Sequence, residues 1–293
     1  MRLRTLPLAA SGIICGSGLA WFDTSMEFDW PISLLALLTS SLLQVLSNLA
    51  NDYGDFKKGT DNEERIGTPR ALQLGMLSAK EMLRGIIVCG VLAFVSGCGL
   101  LLLAFGGNLN SVIFSFFILG LLSIAAAIKY TMGKFAYGYM GLGDVFVFIF
   151  FGPVAVMGTC YLCIGLLAFD AWMPAVALGC LSVGVLNTNN IRDMETDQKA
   201  GKVTLALKLG LRGARIYQVC LIMLAFSCLL AYSFRHFEFW YQHAWLLSLP
   251  LFMYNTVAVY MLPPSPDHND LLKQLSLSTL LFSLLFLSGC VSS

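Results

Sequence analysis

Two stretches of the sequence gather carboxylate and amide side chains that could bind a cation. The first reads NLANDYGDFKKGTD and spans 48–61, and the second begins NTNNIRDMETDQKAG at Asn187. Within each stretch, three of these side chains are spaced so that they share one face if the preceding helix continues through the motif. These six residues are Asn48, Asp52, Asp55, Asn189, Asp193 and Asp197.

The two motifs are related by an internal repeat. The same number of positions separates Asn48 from Asn189 and Asp52 from Asp193. Four predicted helices fit between them, so both motifs emerge on the same side of a helical bundle. We therefore predict one domain over 1–293, built from two pseudo-repeated helix groups with motifs at 48–61 and 189–202.

Facing carboxylates at a membrane boundary repel one another and favour protonation unless a cation lies between them. Carboxylate and amide oxygens are ligands that suit Mg²⁺. Lys and Arg flank both motifs, which indicates that an anion accompanies the metal, and a diphosphate fits this pattern. The alternative is that these side chains are solvated helix caps, but the matched offsets favour a site.

The rest of the chain has the composition of an integral membrane protein. Hydrophobic residues make up 57% and charged residues 12% of the chain, whereas soluble domains carry about 25% charged residues. The net charge of +1 gives no indication of nucleic-acid binding. Runs of about 20 apolar residues predict nine transmembrane helices in an all-α fold. Their approximate ranges are 5–22, 31–50, 82–105, 110–129, 142–163, 171–190, 214–233, 241–261 and 271–291.

The distribution of Lys and Arg predicts the topology. With the N-terminus in the cytoplasm, every Lys and Arg except Arg235 falls on the cytoplasmic side. Nine crossings then place the C-terminus outside. Both Asp-rich motifs face the cytoplasm, so the predicted site does too.

These motifs resemble those of the UbiA superfamily of intramembrane aromatic prenyltransferases, whose members are nine-helix bundles with an NDxxDxxxD-type and a DxxxD motif. The branch that prenylates 1,4-dihydroxy-2-naphthoate in menaquinone biosynthesis has similar stretches. They are RLRTLPLA at 2–9, NLANDYGDFKKGTD at 48–61, GLGDVFVFIFFGPVAVMGT at 141–159 and NNIRDMETDQKAGKVTLALKLG at 189–210. In the general family an Asp stands four residues after the equivalent of Asp55, but this chain has Gly59 there and its next acid is Asp61.

The resemblance implies a Mg²⁺-dependent transfer from polyprenyl diphosphate to the naphthoate ring with loss of CO₂, in the bacterial inner membrane. The six motif residues would hold Mg²⁺ and diphosphate, although Asn51 and Asn190 are alternatives to their neighbours. The diphosphate would also contact cationic side chains from Lys57, Arg65, Arg70 and Lys199. YTMGK at 130–134 resembles the family's Tyr-Pro-x-x-Lys loop, so Tyr130 and Lys134 are candidate catalytic residues.

Two further residues are candidates for the acceptor side. Asp144 begins an apolar helix and could accept a naphthol proton, although such an acid is as often a helix cap. Arg4 could pair with the carboxylate of the acceptor or could simply anchor the N-terminus at the membrane surface. The phenylalanines that follow Asp144 could line the path of an allylic cation or pack in the bundle.

Two other functions fit parts of the pattern. The acceptor could be a different aromatic ring, such as 4-hydroxybenzoate. A secondary transporter is compatible with acidic residues and an internal repeat, but transporter sites lie near the membrane midplane. The motifs are predicted at one membrane face, which favours the enzyme.

Overall fold

A computed structural model of the chain describes residues 3–24, 28–60, 67, 70–108, 110–167 and 169–292. Within this part of the chain, nine helices are long and apolar enough to cross a membrane, which confirms the predicted number. They are α1 Leu6–Thr24, α2 Trp30–Lys57, α3 Ala79–Phe105, α4 Ser111–Lys129, α5 Gly143–Ile164, α6 Trp172–Arg192, α7 Leu205–His236, α8 Trp240–Met261 and α9 His268–Val291.

Several helix ends follow from local sequence. Ser78 and Glu81 form a capping box before α3, and the side chains of Asn110 and Thr204 accept backbone N–H groups at the starts of α4 and α7. These contacts satisfy amide groups that have no partner within the helix. The α3 helix ends at Gly106, whose φ of 56° suits glycine.

The two Asp-rich motifs differ in backbone structure. The α2 helix continues to Lys57, so the first motif lies on one helix as expected. The second motif is divided, because α6 ends at Arg192 and a separate short helix covers Met194–Lys199. The condition that the preceding helix continues through the motif is therefore met by Asn48, Asp52 and Asp55 but not by the second set of residues. Because the helix is interrupted after Arg192, the direction of the Asp197 side chain is not set by the helix that carries Asn189.

Pro153 lies within an irregular turn of α5. Proline cannot donate a backbone hydrogen bond, and residues Phe150–Val154 form a wider π-type turn without ending the helix. At this turn Gly152 lies so close to α6 that a Cβ atom would be 2.5 Å from the carbonyl oxygen of Ala175. Small residues at such contacts let membrane helices approach closely.

The helices form two packed regions with the motifs at one end. The largest apolar cluster joins α1, α5, α6, α7, α8 and α9, and smaller clusters join α2 to α3, α4 and α5. Much of α3 carries exposed apolar side chains such as Ile87, Val91 and Val95. Such a surface suits contact with lipid. Both motifs follow from helices that run in the same direction.

Gly152→Ala tests the close contact between α5 and α6. The added methyl group forces the two helices apart, and overpacking of this kind costs roughly 1–3 kcal/mol. We expect a lower thermal unfolding temperature in detergent. Gly90→Ala is the matched control, because its Cβ would lie 4.0 Å from Leu46 Cδ1. Equal stability of the two variants would contradict the close packing.

Candidate functional site

A cavity of about 780 Å³ lies where the two motifs meet. Its polar end is lined by all six residues predicted to bind metal, namely Asn48, Asp52, Asp55, Asn189, Asp193 and Asp197. Its other walls are largely apolar and include Leu100, Phe116 and Leu162 from α3, α4 and α5. The arrangement suits a ligand with a charged group at one end and a hydrocarbon chain at the other.

Arg70 joins the two carboxylates of the first motif. Its Nε lies 3.2 Å from Asp52 Oδ1 and its NH1 lies 2.8 Å from Asp55 Oδ2. All three side chains are buried, so this cation offsets a repulsion that would otherwise be severe. Arg70 comes from the segment between α2 and α3, and its predicted contact with a diphosphate stays a prediction.

Asn48 is held one turn before Asp52 by a small amide network. Its Nδ2 donates to Thr5 Oγ1 at 3.1 Å, and its Oδ1 accepts from Gln44 Nε2 at 3.2 Å. Asn51 also lines the cavity, so the structure leaves both amides available at the first motif. At the second motif, Asn189 lines the cavity and the buried Asn190 is not among the described lining residues.

Arg192 orients the second motif. Its guanidinium donates to both carboxylate oxygens of Asp193, with 2.8 Å from Nε to Oδ1, and its NH2 donates to Asn189 Oδ1 at 2.8 Å. Arg192 is only 3% exposed. Its NH1 donates to Asn269 Oδ1 on α9, which also accepts a bond from Arg4. Arg4 lines the cavity as well.

Lys202 is the buried cation beside Asp197. Its Nζ lies 3.2 Å from Asp197 Oδ1 and 3.1 Å from Oδ2. Burial raises the pKa of the Asp197 carboxyl to about 6, Lys202 opposes that shift, and the carboxylates of Asp193 and Asp55 add to it. The raised pKa therefore reflects mainly the burial of this carboxyl, with a smaller contribution from the neighbouring carboxylates.

Tyr139 connects the two motifs through the loop between α4 and α5. Its hydroxyl donates to Asp55 Oδ1 at 2.7 Å and lies 2.6 Å from Thr60 Oγ1. Burial and the charge of Asp55 raise the pKa of Tyr139, so the phenol stays protonated and able to donate. Its carbonyl oxygen accepts from Val203 N after the second motif.

The donor set suits a hard cation. Among the described residues, no group of three or more His, Cys, Asp or Glu side chains is close enough to hold a metal ion. The reason is visible in the ion pairs, because Arg70, Arg192 and Lys202 lie against the carboxylates. Four carboxylates line one cavity together with the amide groups of Asn48 and Asn189, and these oxygens are the protein's candidate ligands. These features fit Mg²⁺.

Three predicted cationic residues, Lys57, Lys134 and Lys199, are not among the described residues that line the cavity. Lys57 and Lys134 are exposed. Lys199 is 54% exposed, and its Nζ lies 3.4 Å from Glu195 Oε1 on the outer face of the short helix. Arg65, together with Asp61, lies outside the described residues. The roles predicted for these residues stay predictions.

Asp144 is buried, being only 6% exposed, and it is not among the described residues that line the cavity. Its carboxylate interacts with the hydroxyl of Tyr217 on α7. Tyr130, in contrast, lines the cavity as predicted.

Aromatic rings form one side of the cavity next to the motifs. Tyr137 and Phe146 stack with centroids 3.9 Å apart, and Phe150 continues the row at 6.2 Å. Tyr130 meets Tyr137 edge to face. All four rings line the cavity, whereas Phe148 packs against Gly179 of α6. Such a wall could stabilise a passing cation.

Tyr139, Lys202 and Asn269 were not identified from the sequence as site residues. Lys202 lies in the second motif, and Tyr139 lies close in sequence to the YTMGK stretch that contains Tyr130. Closeness in sequence to a predicted site residue could therefore have indicated both. Asn269 begins a helix far along the chain, and no local pattern marks it.

The chain is similar to known proteins along nearly its full length. A sequence model described as the UbiA prenyltransferase family matches residues 11–285. A protein of Haemophilus influenzae named 1,4-dihydroxy-2-naphthoate octaprenyltransferase is 43% identical over 288 residues, which cover 98% of this chain and 93% of that protein.

Solved structures share the fold. A UbiA homologue from Aeropyrum pernix K1 superposes with a TM-score of 0.73 at 15% identity, covering 100% of this chain and 98% of its own. A UbiA homologue from Archaeoglobus fulgidus, bound to DMAPP and Mg²⁺, gives a TM-score of 0.59 at 17% identity over 99% and 98% of the two chains.

Arg70→Leu tests the charge balance of the first motif. Leaving Asp52 and Asp55 without their shared cation should destabilise the protein by roughly 3–5 kcal/mol. Mg²⁺ should raise the unfolding temperature of the variant more than that of the unchanged protein, because it replaces the missing charge. Arg235→Leu is the control, since its ion pair with Asp170 is exposed. A Mg²⁺ effect equal in both proteins would contradict this account.

Proposed function

The chain belongs to the UbiA prenyltransferase family, and on that premise we propose that it transfers a polyprenyl group from polyprenyl diphosphate to 1,4-dihydroxy-2-naphthoate with loss of CO₂. The observation that carries the proposal is one cavity with two Asp-rich motifs at its polar end and apolar walls beyond. The name of the Haemophilus influenzae relative supports the naphthoate acceptor and an octaprenyl donor.

The polar end of the cavity would bind Mg²⁺ and the diphosphate. The Mg²⁺ ligands proposed are the oxygens of Asn48, Asp52, Asp55, Asn189, Asp193 and Asp197. When bound, Mg²⁺ would neutralise the diphosphate and make it a better leaving group. The Archaeoglobus fulgidus homologue, bound to DMAPP and Mg²⁺, supports this assignment.

Arg70 and Lys202 would supply the nearest protein cations for the diphosphate. Both are buried at the polar end and already hold motif carboxylates. If these ion pairs rearrange, the N–H groups of Arg70 and Lys202 can reach phosphate oxygens. No side chain from outside the polar end is then needed. Lys202 takes the place that the sequence suggested for Lys199, because Lys199 lies on an exposed face.

The aromatic wall would stabilise the allylic cation that forms when the C–O bond of the diphosphate breaks. The faces of Tyr137, Phe146 and Phe150 lie along the cavity next to the motifs. The apolar walls would keep water from this cation and hold the polyprenyl tail. Burial of each CH₂ group of that tail is worth about 0.8 kcal/mol.

Arg4 is the proposed partner of the acceptor's carboxylate, because it lines the cavity close to the second motif. The allylic carbon would bond to the ring carbon that carries this carboxylate, and CO₂ would leave with its bonding electrons retained by the ring. Loss of CO₂ replaces loss of a ring proton, so that carbon needs no base. Asp144, which is not among the described lining residues, is then not required as that base, and Tyr130, which lines the cavity, stays a candidate for contact with the ring.

We also propose the topology and location. An N-terminus in the cytoplasm puts both motifs and nearly all Lys and Arg on the cytoplasmic side of a bacterial inner membrane. The C-terminus would then lie outside.

Two alternatives remain testable. Another aromatic acceptor, such as 4-hydroxybenzoate, would use the same diphosphate site. A secondary transporter is less consistent with the positions of Asp55 and Asp197, which lie at helix ends and not in a broken helix near the midplane.

The proposal is tested by incubating purified protein in nanodiscs with Mg²⁺, labelled polyprenyl diphosphate and either acceptor. We expect a prenylated naphthalene product lacking the carboxyl group, no product after chelation of Mg²⁺, and little or none from 4-hydroxybenzoate. Asp193→Asn should lower turnover more than about 100-fold, because it removes a proposed metal ligand. Asp170→Asn, at the other end of the bundle, is the control.

Normal turnover by Asp193→Asn would contradict the metal assignment. Preference for 4-hydroxybenzoate would change the acceptor, and cation flux across liposomes without any product would favour the transporter.

Lys202 and Lys199 form a matched pair for the diphosphate site. Lys202→Met should raise the KM for polyprenyl diphosphate by about 10-fold, because a charge-assisted bond is lost. Lys199→Met should change it less than about twofold, as expected for an exposed ion pair. Lys202→Arg keeps a positive charge beside the buried Asp197. It therefore controls for the destabilisation that loss of this charge causes in Lys202→Met. The reverse pattern would return the role to Lys199.

A further inference from the structure

Asn269, at the start of α9, joins two arginines through one oxygen atom. Arg4 NH1 donates to Asn269 Oδ1 at 2.8 Å, and Arg192 NH1 donates to the same oxygen at 2.7 Å. A carbonyl oxygen has two lone pairs, so these two bonds use its full accepting capacity. The two guanidinium groups are therefore held together despite their like charge.

The orientation of this amide is fixed by its other end. Asn269 Nδ2 donates to the carbonyl oxygen of Pro266 at 2.8 Å, and the backbone N of Asn269 donates to the same atom at 2.9 Å. The donating half of the amide therefore faces the turn and the accepting half faces the arginines. Asparagine satisfies both requirements, whereas an ionised aspartate has no N–H group for Pro266.

The two arginines serve different parts of the site. Arg192 grips Asp193 through two bonds and also holds Asn189. Arg4 lies on the cavity wall where the acceptor's carboxylate is proposed to bind. A continuous row of hydrogen bonds thus runs from the acceptor side through Asn269 to the second Asp-rich motif.

We infer that Asn269 is a positioning residue that couples binding of the acceptor to binding of the Mg²⁺–diphosphate group. This inference rests on the proposed function. A carboxylate that reaches Arg4 competes with Asn269 Oδ1 for its N–H group. Asn269 Oδ1 then accepts from Arg192 alone. The hydrogen bond between Arg192 and Asn269 changes, and the position of Asp193, which Arg192 holds, changes with it. Coupling of this kind is reciprocal, so each ligand alters the affinity for the other by the same factor.

The first experiment measures that factor directly. Binding of a non-reactive polyprenyl thiolodiphosphate with Mg²⁺ is titrated in nanodiscs with and without 1,4-dihydroxy-2-naphthoate. We expect the acceptor to change the Kd of the analogue by at least about fivefold. In Asn269→Leu the change should fall below about twofold. An unchanged factor in the variant, or no coupling in the unchanged protein, would overturn the inference.

A second experiment needs no acceptor and separates this inference from the proposed function. Arg4→Lys keeps the charge but loses the planar fork of the guanidinium. When Asn269 is present, Arg4→Lys should weaken binding of the polyprenyl thiolodiphosphate about fivefold. In Asn269→Leu, where the link to Arg192 is already lost, Arg4→Lys should leave this binding unchanged. Equal effects in both backgrounds would show that Asn269 transmits nothing. Failure to prenylate naphthoate would remove the proposed acceptor and leave this cycle intact.

Three variants complete the design. Asn269→Ser is a second removal variant, too short to reach both arginines, for use if Asn269→Leu does not fold. Asn269→Asp retains an accepting oxygen for the arginines but loses the N–H group that bonds to Pro266, so its coupling should lie between that of the unchanged protein and that of Asn269→Leu. Asp270→Asn, exposed on the next position of α9, should bind both ligands normally. Loss of coupling in Asp270→Asn would assign the effect to the helix and not to Asn269.

Discussion

Four carboxylates share the end of one largely apolar cavity, and the need to compensate their charge shapes the structure around them. Buried like charges are tolerated only when cations or hydrogen-bond donors face them. Arg70, Arg192 and Lys202 provide those cations, and the Tyr139 hydroxyl provides a neutral donor. Three of these four side chains come from segments outside the spanning helices. The connecting segments are therefore part of the site and not mere links.

The helical bundle also places these four carboxylates next to the apolar walls of the cavity. The α2 helix extends its regular hydrogen bonding through Asp55, and α6 ends at Arg192, so both motifs lie where spanning helices end. Their backbone groups stay satisfied within helices while the carboxylates reach the polar end of the cavity. The opposite walls continue into the apolar bundle, so a ligand with a charged head and a long tail meets a matching environment along its length.

The sequence allowed prediction of nine membrane-length helices among the described residues, because apolar runs of that length are unmistakable. It also singled out six motif residues that all line one cavity, and their binding of Mg²⁺ stays a prediction. The direction of individual lysines could not be predicted. Lys199 and Lys202 lie three positions apart, and only the turn after the short helix decides that Lys202 faces Asp197. Asp144 is an acid at the start of an apolar helix, which made it a candidate site residue, yet its carboxylate interacts with the hydroxyl of Tyr217 on α7. Asn269 meets Arg4 across most of the chain, beyond any local pattern.

The residues proposed to bind the acceptor and those proposed to bind the diphosphate come from different helices. Arg4 precedes α1 and Asn269 begins α9, and these two helices pack extensively against each other. The carboxylates that would hold the Mg²⁺–diphosphate group lie instead on α2, at Asp193 just after α6, and on the short helix that follows. Hydrogen bonds join the two parts at both motifs. Thr5, which precedes α1, bonds to Asn48 of the first motif, and Asn269 and Arg192 make the connection at the second. The dependence of one side on the other can therefore be altered at either motif.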